Sequence, residues 1–176
     1  MIFFTADLHF GHENIIRHCN RPFASADEMD KALTRNWNAT VGPRDEVYIL
    51  GDFTMKPAAQ AHEYLAALNG RKYLIQGNHD KFLNGFEPFA GDFEWIKDYH
   101  VLKHEGRKFV LFHYPIAEWD GFFRGVLHLY GHIHNSPTST ARLPDGGLAF
   151  NVGVDCHDFR PVNIEKILAL AAEKEA

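Results

Sequence analysis

The chain has 176 residues, 45% hydrophobic and 23% charged, enough for one domain whose core needs neither disulfides nor a structural metal. A formal charge of −5 argues against a broad basic face for duplex DNA. No apolar run approaches a bilayer span and the opening Met1-Ile2-Phe3-Phe4 is too short for a secretory signal, so a cytoplasmic protein without membrane contact is expected. Cys19 and Cys156 are then reduced thiols. Histidine is the outlier, with 12 copies, and where those copies fall matters more than their number.

In chain order, Ile2 to Ala6 reads as a strand ending on Asp7-Leu8-His9. In extended backbone, side chains two apart point the same way, so Asp7 and His9 would face one ion while Leu8 faces the core. Gly11-His12-Glu13-Asn14 leads into a short helical run, Ile15-Ile16-Arg17-His18. Ser25 and Glu28 form a capping box for a second helix, and Met29, Leu33 and Trp37 make its core stripe. After a turn at Gly42-Pro43-Arg44-Asp45, Val47 to Leu50 is a second strand ending on Gly51-Asp52. A helix from near Pro57 carries Ala61, Leu65 and Leu68 on one face and stops at Gly70. Tyr73-Leu74-Ile75 follows as a strand in a right-handed parallel crossover, with Gln76-Gly77-Asn78-His79-Asp80 at its exit.

Residues 82 to 98 read as an irregular aromatic cover. Val101-Leu102-Lys103 and Lys108 to Phe112 form a hairpin about Glu105-Gly106, and His113 follows. A long loop from Tyr114 to Gly125 precedes the strand Val126 to Tyr130, which closes on Gly131-His132-Ile133-His134. Thr140 to Leu143 and Leu148 to Val154 flank Pro144-Asp145-Gly146-Gly147 as a second hairpin. Asn163 caps a terminal helix with Ile164, Ile167 and Leu168 inward. No repeat or linker interrupts the chain, so a single domain over residues 1–176 without a cap domain is expected.

The strand exits therefore carry Asp7, His9, Asp52, Asn78, His79, Asp80, His113, His132 and His134. Imidazoles, carboxylates and an amide without thiolate favour borderline divalent ions such as Mn, Fe, Zn or Co. Seven such ligands exceed one tetrahedral ion and suit two ions sharing a bridging carboxylate.

Five blocks stand in order at these exits: D-x-H, G-D, G-N-H-D, a lone His after a strand, and G-H-x-H. Each is weak singly, but together they resemble the calcineurin-like metallophosphoesterase superfamily over nearly the whole chain. The opening T-A-D-L-H-F-G-H-E-N-I-I, with Arg21-Pro22-Phe23 after it, is similar to the small stand-alone bacterial and phage members. The resemblance implies an α/β fold, a four-layer α/β/β/α sandwich of two mixed sheets flanked by helices. It implies two divalent ions: Asp7, His9, Asp52 and His134 around one, with Asp52 bridging to a second completed by Asn78, His113 and His132. A hydroxide between the ions would attack phosphorus, His79 would protonate the leaving group, and Asp80 would orient the His79 ring. The expected substrate is a small phosphoester, with diesters favoured over monoesters. A nuclease acting on nucleic-acid ends and an idle metal-stabilised scaffold are the alternatives. His12 lies on the loop that should rim the site, while Arg17, Arg21 and Arg160 are structural or solvated by default, and His157 and Cys156 are not taken as ligands. Trp95, Trp119, Phe122 and Phe123 either anchor their loops or stack on a nucleobase.

Overall fold

The computed structural model describes residues 1–88, 91–136 and 148–175. Two mixed sheets pack face to face with helices flanking them, the α/β architecture that the resemblance implies. The first has the order β4-β3-β2-β1-β9, from β1 (Ile2–Thr5), β2 (Glu46–Leu50), β3 (Arg71–Ile75), β4 (Trp95–Lys97) and β9 (Val162–Asn163). Strands β1 to β4 run parallel, and β9 closes the far edge antiparallel to β1. The second sheet has the order β5-β6-β7-β8, from β5 (Tyr99–His104), β6 (Arg107–Phe112), β7 (Leu127–Tyr130) and β8 (Ala149–Asn151). The β5–β6 hairpin is antiparallel, while β6, β7 and β8 are parallel.

Strand alternation sorts the core into layers. Phe3, Val47, Ile49 and Leu74 face the helices α1 (Glu13–His18), α2 (Ala26–Thr40) and α3 (Ala58–Ala67), meeting Ile15, Met29, Leu33, Trp37 and Leu65. Their neighbours Phe4, Tyr48, Leu50 and Ile75 point the other way, against Phe109, Leu111, Leu127 and Leu129 of the second sheet. Helix α4 (Ile164–Glu175) adds Ile164, Ile167 and Ala171 to that inter-sheet cluster. Helix α2 begins where the capping box expects: the Ser25 hydroxyl accepts from Glu28 N at 3.2 Å. The carboxylate of Glu28 reaches one residue further back, accepting from Ala24 N at 2.8 Å. Asn163 caps α4, its side-chain oxygen accepting from Lys166 N at 2.9 Å. Among the described residues no helix is long and apolar enough to cross a membrane.

Two expectations change. The stretch read as an irregular cover contains β4, which pairs Tyr73 with Trp95 and Ile75 with Lys97. Its aromatic run hid a short edge strand, since Trp95 packs on Tyr48 and Tyr73 in the manner of a sheet residue. Strand β8 pairs in parallel with β7, whereas the second hairpin expected about residues 144–147 lies outside the described residues.

The loop from Tyr114 to Gly125 covers the other face of the second sheet. Trp119 is 6% exposed, packs with Val110 and Val126, and donates its indole N–H to the Val126 carbonyl at 2.9 Å. It is a loop anchor and not a stacking platform. Trp119→Ala is therefore expected to cost about 3–5 kcal/mol in denaturant unfolding, with KM for any phosphoester unchanged. An unaltered midpoint would show that the loop is held by other contacts.

Candidate metal centre

Parallel strands leave their C-terminal ends along one edge, and here the exits of both sheets converge. The exit of β1 lies along that of β2: Asp7 N donates to the Gly51 carbonyl at 3.0 Å and His9 N to the Asp52 carbonyl at 2.9 Å. The exit of β3 is bound to β2 through Asp80, whose carboxylate accepts from Gly77 N at 2.8 Å, Asp52 N at 2.9 Å and Phe53 N at 2.7 Å. The sheets are joined across the seam: Val154 N donates to the Ala6 carbonyl at 3.1 Å, and two further contacts lie at the donor residues. His113 Nδ1 lies 2.7 Å from the Leu50 carbonyl, and both Asp7 oxygens accept from His132 N, at 3.0 and 2.9 Å.

The side chains fall into two donor groups, Asp7 with His9 and His134, and Asp52 with His113 and His132, each with ligand atoms within 4.8 Å of one another. Asn78 joins the second group, its Oδ1 lying 3.0 Å from His113 Nε2. The two groups meet at Asp52 Oδ2, which is 3.5 Å from His9 Nε2 and 3.6 Å from His113 Nε2. The other Asp52 oxygen accepts from His79 N at 2.8 Å, and the His79 ring lies 5.5 Å from the His9 ring, centroid to centroid. All nine residues singled out in the sequence thus belong to one connected site.

The backbone there is not extended. Asp7, His9, Asp52, His132 and His134 have φ of 57°, 53°, 56°, 70° and 50°, left-handed values that disfavour residues with a Cβ. Asp7 and His9 therefore reach the same place by local coiling and not by strand alternation, correcting the reason given for their pairing. Strain of about 1–3 kcal/mol per residue is typical of functional sites held by surrounding structure. Close approach adds a second constraint. A Cβ on Gly131 would stand 2.7 Å from Asp7 Oδ2, and one on Gly77 would strike the Asp52 carboxylate and amide.

Asp80 takes a different part from the one expected. Its oxygens are occupied by the three amides above, and it anchors the Asp52 loop without orienting the His79 ring. A one-residue side-chain alternation explains this: Asp80 turns inward, 1% exposed, while its neighbour His79 lines the cleft.

Two residues that sequence reasoning left aside complete the site. Asp155, just past the exit of β8, accepts from both Nε and Nη2 of Arg21 at 2.8 Å and lies 2.7 Å from His134 Nδ1. Arg21, 4% exposed, also donates to the carbonyls of Asp7 at 2.7 Å and Leu8 at 3.0 Å. Its structural assignment holds, and it has no atom to spare for a phosphate. The available signal for Asp155 was the strand-exit pattern itself, since Gly153-Val154-Asp155 follows closely on β8, the last strand of the second sheet. His157 Nε2 donates to the Asn151 carbonyl at 2.8 Å, in keeping with its exclusion as a ligand.

Electrostatics fit cations. Burial pushes Asp7 up to about 7, with the Asp52 charge adding to it. Burial also lowers His9, His113 and His132, favouring the neutral rings that metals bind. Burial opposes protonation of His134, but hydrogen bonds to Asp155 and Cys19 and the Asp7 charge outweigh it and hold the ring at about 10. Both ring nitrogens of His9 are buried with no hydrogen-bond partner, a costly arrangement in a protein unless another ligand takes one. The donor sets of both groups fit metal ions, and the orphaned His9 nitrogens add to the fit of the first.

At pH 8 the His134 ring still carries a proton that a cation must displace, whereas Asp7, at about 7, is mostly ionised. Manganese binding at pH 8 should therefore release about one proton, and at pH 6 about two, with affinity falling as pH falls. Asp155→Asn should weaken that binding by about 10–100-fold and reduce the proton released at pH 8. Calorimetry in buffers of different ionisation enthalpy measures both, and an affinity independent of pH and of Asp155 would contradict this arrangement.

No family model matches the chain. It is 36% identical over 172 residues to MJ1445, an uncharacterized protein of Methanocaldococcus jannaschii, covering 96% of this chain and 90% of that one. The gene 66 protein of Mycobacterium phage D29 is 39% identical over 189 aligned positions, covering 92% of each chain. Among solved structures, AQ665 of Aquifex aeolicus, a protein of unknown function, matches with a TM-score of 0.75 and 28% identity over 97% of this chain and 98% of that one. Strand exits from two sheets that converge on one histidine–carboxylate cluster are thus found in a chain that belongs to the same family as MJ1445 and the phage gene 66 protein.

Proposed function

We propose that this protein is a dinuclear metal-dependent phosphoester hydrolase of the calcineurin-like kind, acting on small phosphodiesters. The observation that carries this reading is Asp52. One of its oxygens lies between His9 of one donor group and His113 of the other, at 3.5 and 3.6 Å, the placement a bridging carboxylate needs. Asp7, His9, Asp52 and His134 would hold one ion, and Asp52, Asn78, His113 and His132 the other. Two divalent ions there would supply Lewis acidity toward a phosphoryl oxygen and lower the pKa of water.

The remaining work falls to the chain itself. His79 lines the cleft beside His9 and Asp52, with its backbone fixed by the Asp52 carboxylate, which supports giving its ring the role of proton donor to a departing oxygen. Asp80 keeps the Asp52 loop rigid, and Arg21 with Asp155 fixes His134 so that Nε2 faces the site. Diesters are favoured because phosphorus in a diester carries less negative charge toward an anionic nucleophile.

Hydrolysis of bis(4-nitrophenyl) phosphate and 4-nitrophenyl phosphate by metal-stripped protein reloaded with manganese tests the reading. Manganese-dependent turnover, faster on the diester, is expected; turnover of neither ester would overturn it. His79→Ala should leave metal content unchanged and slow turnover by about 10²–10⁴. The loss should be smaller for nitrophenyl than for alkyl leaving groups, and equal losses would remove His79 as the proton donor.

A further inference from the structure

A cleft of about 460 Å³ runs from the donor groups along α1, in the size range of small-molecule sites. One wall is the α1 side, with His12, Ile15 and His18, and the other is the turn after β7, with Ile133 and Asn135. Apart from Asp52 at its floor, the described residues lining it include no Lys, Arg, Asp or Glu. A polynucleotide brings further phosphates next to the reacting one, and sites for such chains carry basic side chains that track them. This cleft offers imidazoles, an amide, a hydroxyl, a thiol and the apolar side chain of Ile133 instead, which suits a neutral substituent with hydrogen-bonding groups and an apolar face. Arg17, on the same helix, is exposed and turned to Asn14, its Nη2 donating to Oδ1 at 2.7 Å.

Within the cleft, His12 has no structural employment. It stands at the N-cap position of α1 without a side-chain capping bond. Its Nδ1 is buried with no hydrogen-bond partner, and its ring is 5.3 Å from the His9 ring. A buried polar atom left in that state is costly until a ligand group meets it.

We propose that His12 is the specificity-determining residue of this site, hydrogen-bonding a neutral ester substituent such as a nucleoside that is seated against Ile133. The inference rests on the phosphoester hydrolase reading and narrows its substrate to small esters of a neutral, partly apolar ring, setting aside polynucleotide chains. His12 touches the part of the substrate that does not react, so it contributes binding common to ground and transition states.

The test is calorimetric binding of thymidine 5′-monophosphate and of inorganic phosphate to the manganese-loaded protein. The wild type should bind the nucleotide at least about tenfold more tightly than phosphate, a difference of about 1.4 kcal/mol. His12→Ala and, separately, Ile133→Ala should bring that ratio close to one while phosphate affinity stays within about twofold. His12→Asn, which places an amide near the position of Nδ1, should restore part of the ratio. A wild-type ratio near one, or a ratio unchanged in His12→Ala, would overturn the inference and leave the hydrolase reading standing. Tighter binding of a single-stranded oligonucleotide than of the mononucleotide would also overturn it. Failure to bind phosphate at all would remove both.

Discussion

The site depends on one buried carboxylate that ties two strand exits together. Asp80 accepts hydrogen bonds from Gly77, Asp52 and Phe53, and so fastens the exit of β3 to that of β2. Burial and the nearby Asp52 charge raise it to about 6, against the pull of those amides, so it is mainly ionised at neutral pH, where it is the stronger acceptor. With the Asp52 loop fixed, the β1 exit can lie against it through Asp7 and His9. Asp7 then meets the amide of His132 across the seam. A chain of hydrogen bonds from backbone amides to carbonyls and buried carboxylates thus carries position from the first sheet to the second.

That arrangement explains why strained backbone is concentrated where it is. Five donors adopt left-handed φ where three exits, those of β1, β2 and β7, approach closely and still aim side chains at a common point. The hydrophobic layers on either side of the first sheet, with Phe4, Tyr48 and Leu50 facing one way and Phe3, Val47 and Ile49 the other, hold the exits in that conformation. Arg21 performs the same service from below, satisfying the carbonyls of Asp7 and Leu8 while positioning Asp155 against His134.

Much of this was legible in the sequence because apolar runs of strand length end on metal-capable residues, and that grammar needs no tertiary information. It located Asp7, His9, Asp52, Asn78, His113, His132 and His134, which the fold brings together. What it missed has specific causes. Backbone coiling at Asp7 and His9 leaves no mark when the residues involved are not glycine. The partnership of Arg21 with Asp155 spans 134 positions, and that of Asp155 with His134 spans 21, so neither has a local spacing. The resemblance implied that Asp80 orients the His79 ring, yet the Asp80 carboxylate turns to the amides of Gly77, Asp52 and Phe53. Strand β4 was lost because three residues among many aromatics show no alternation to count.

The account stands or falls on two cations sharing Asp52. Anomalous scattering from crystals grown with manganese measures this directly. The account predicts two peaks of similar occupancy about 3.5–4 Å apart, on either side of Asp52 Oδ2, one near Asp7, His9 and His134 and the other near Asn78, His113 and His132. A single peak, or peaks away from Asp52, would contradict it.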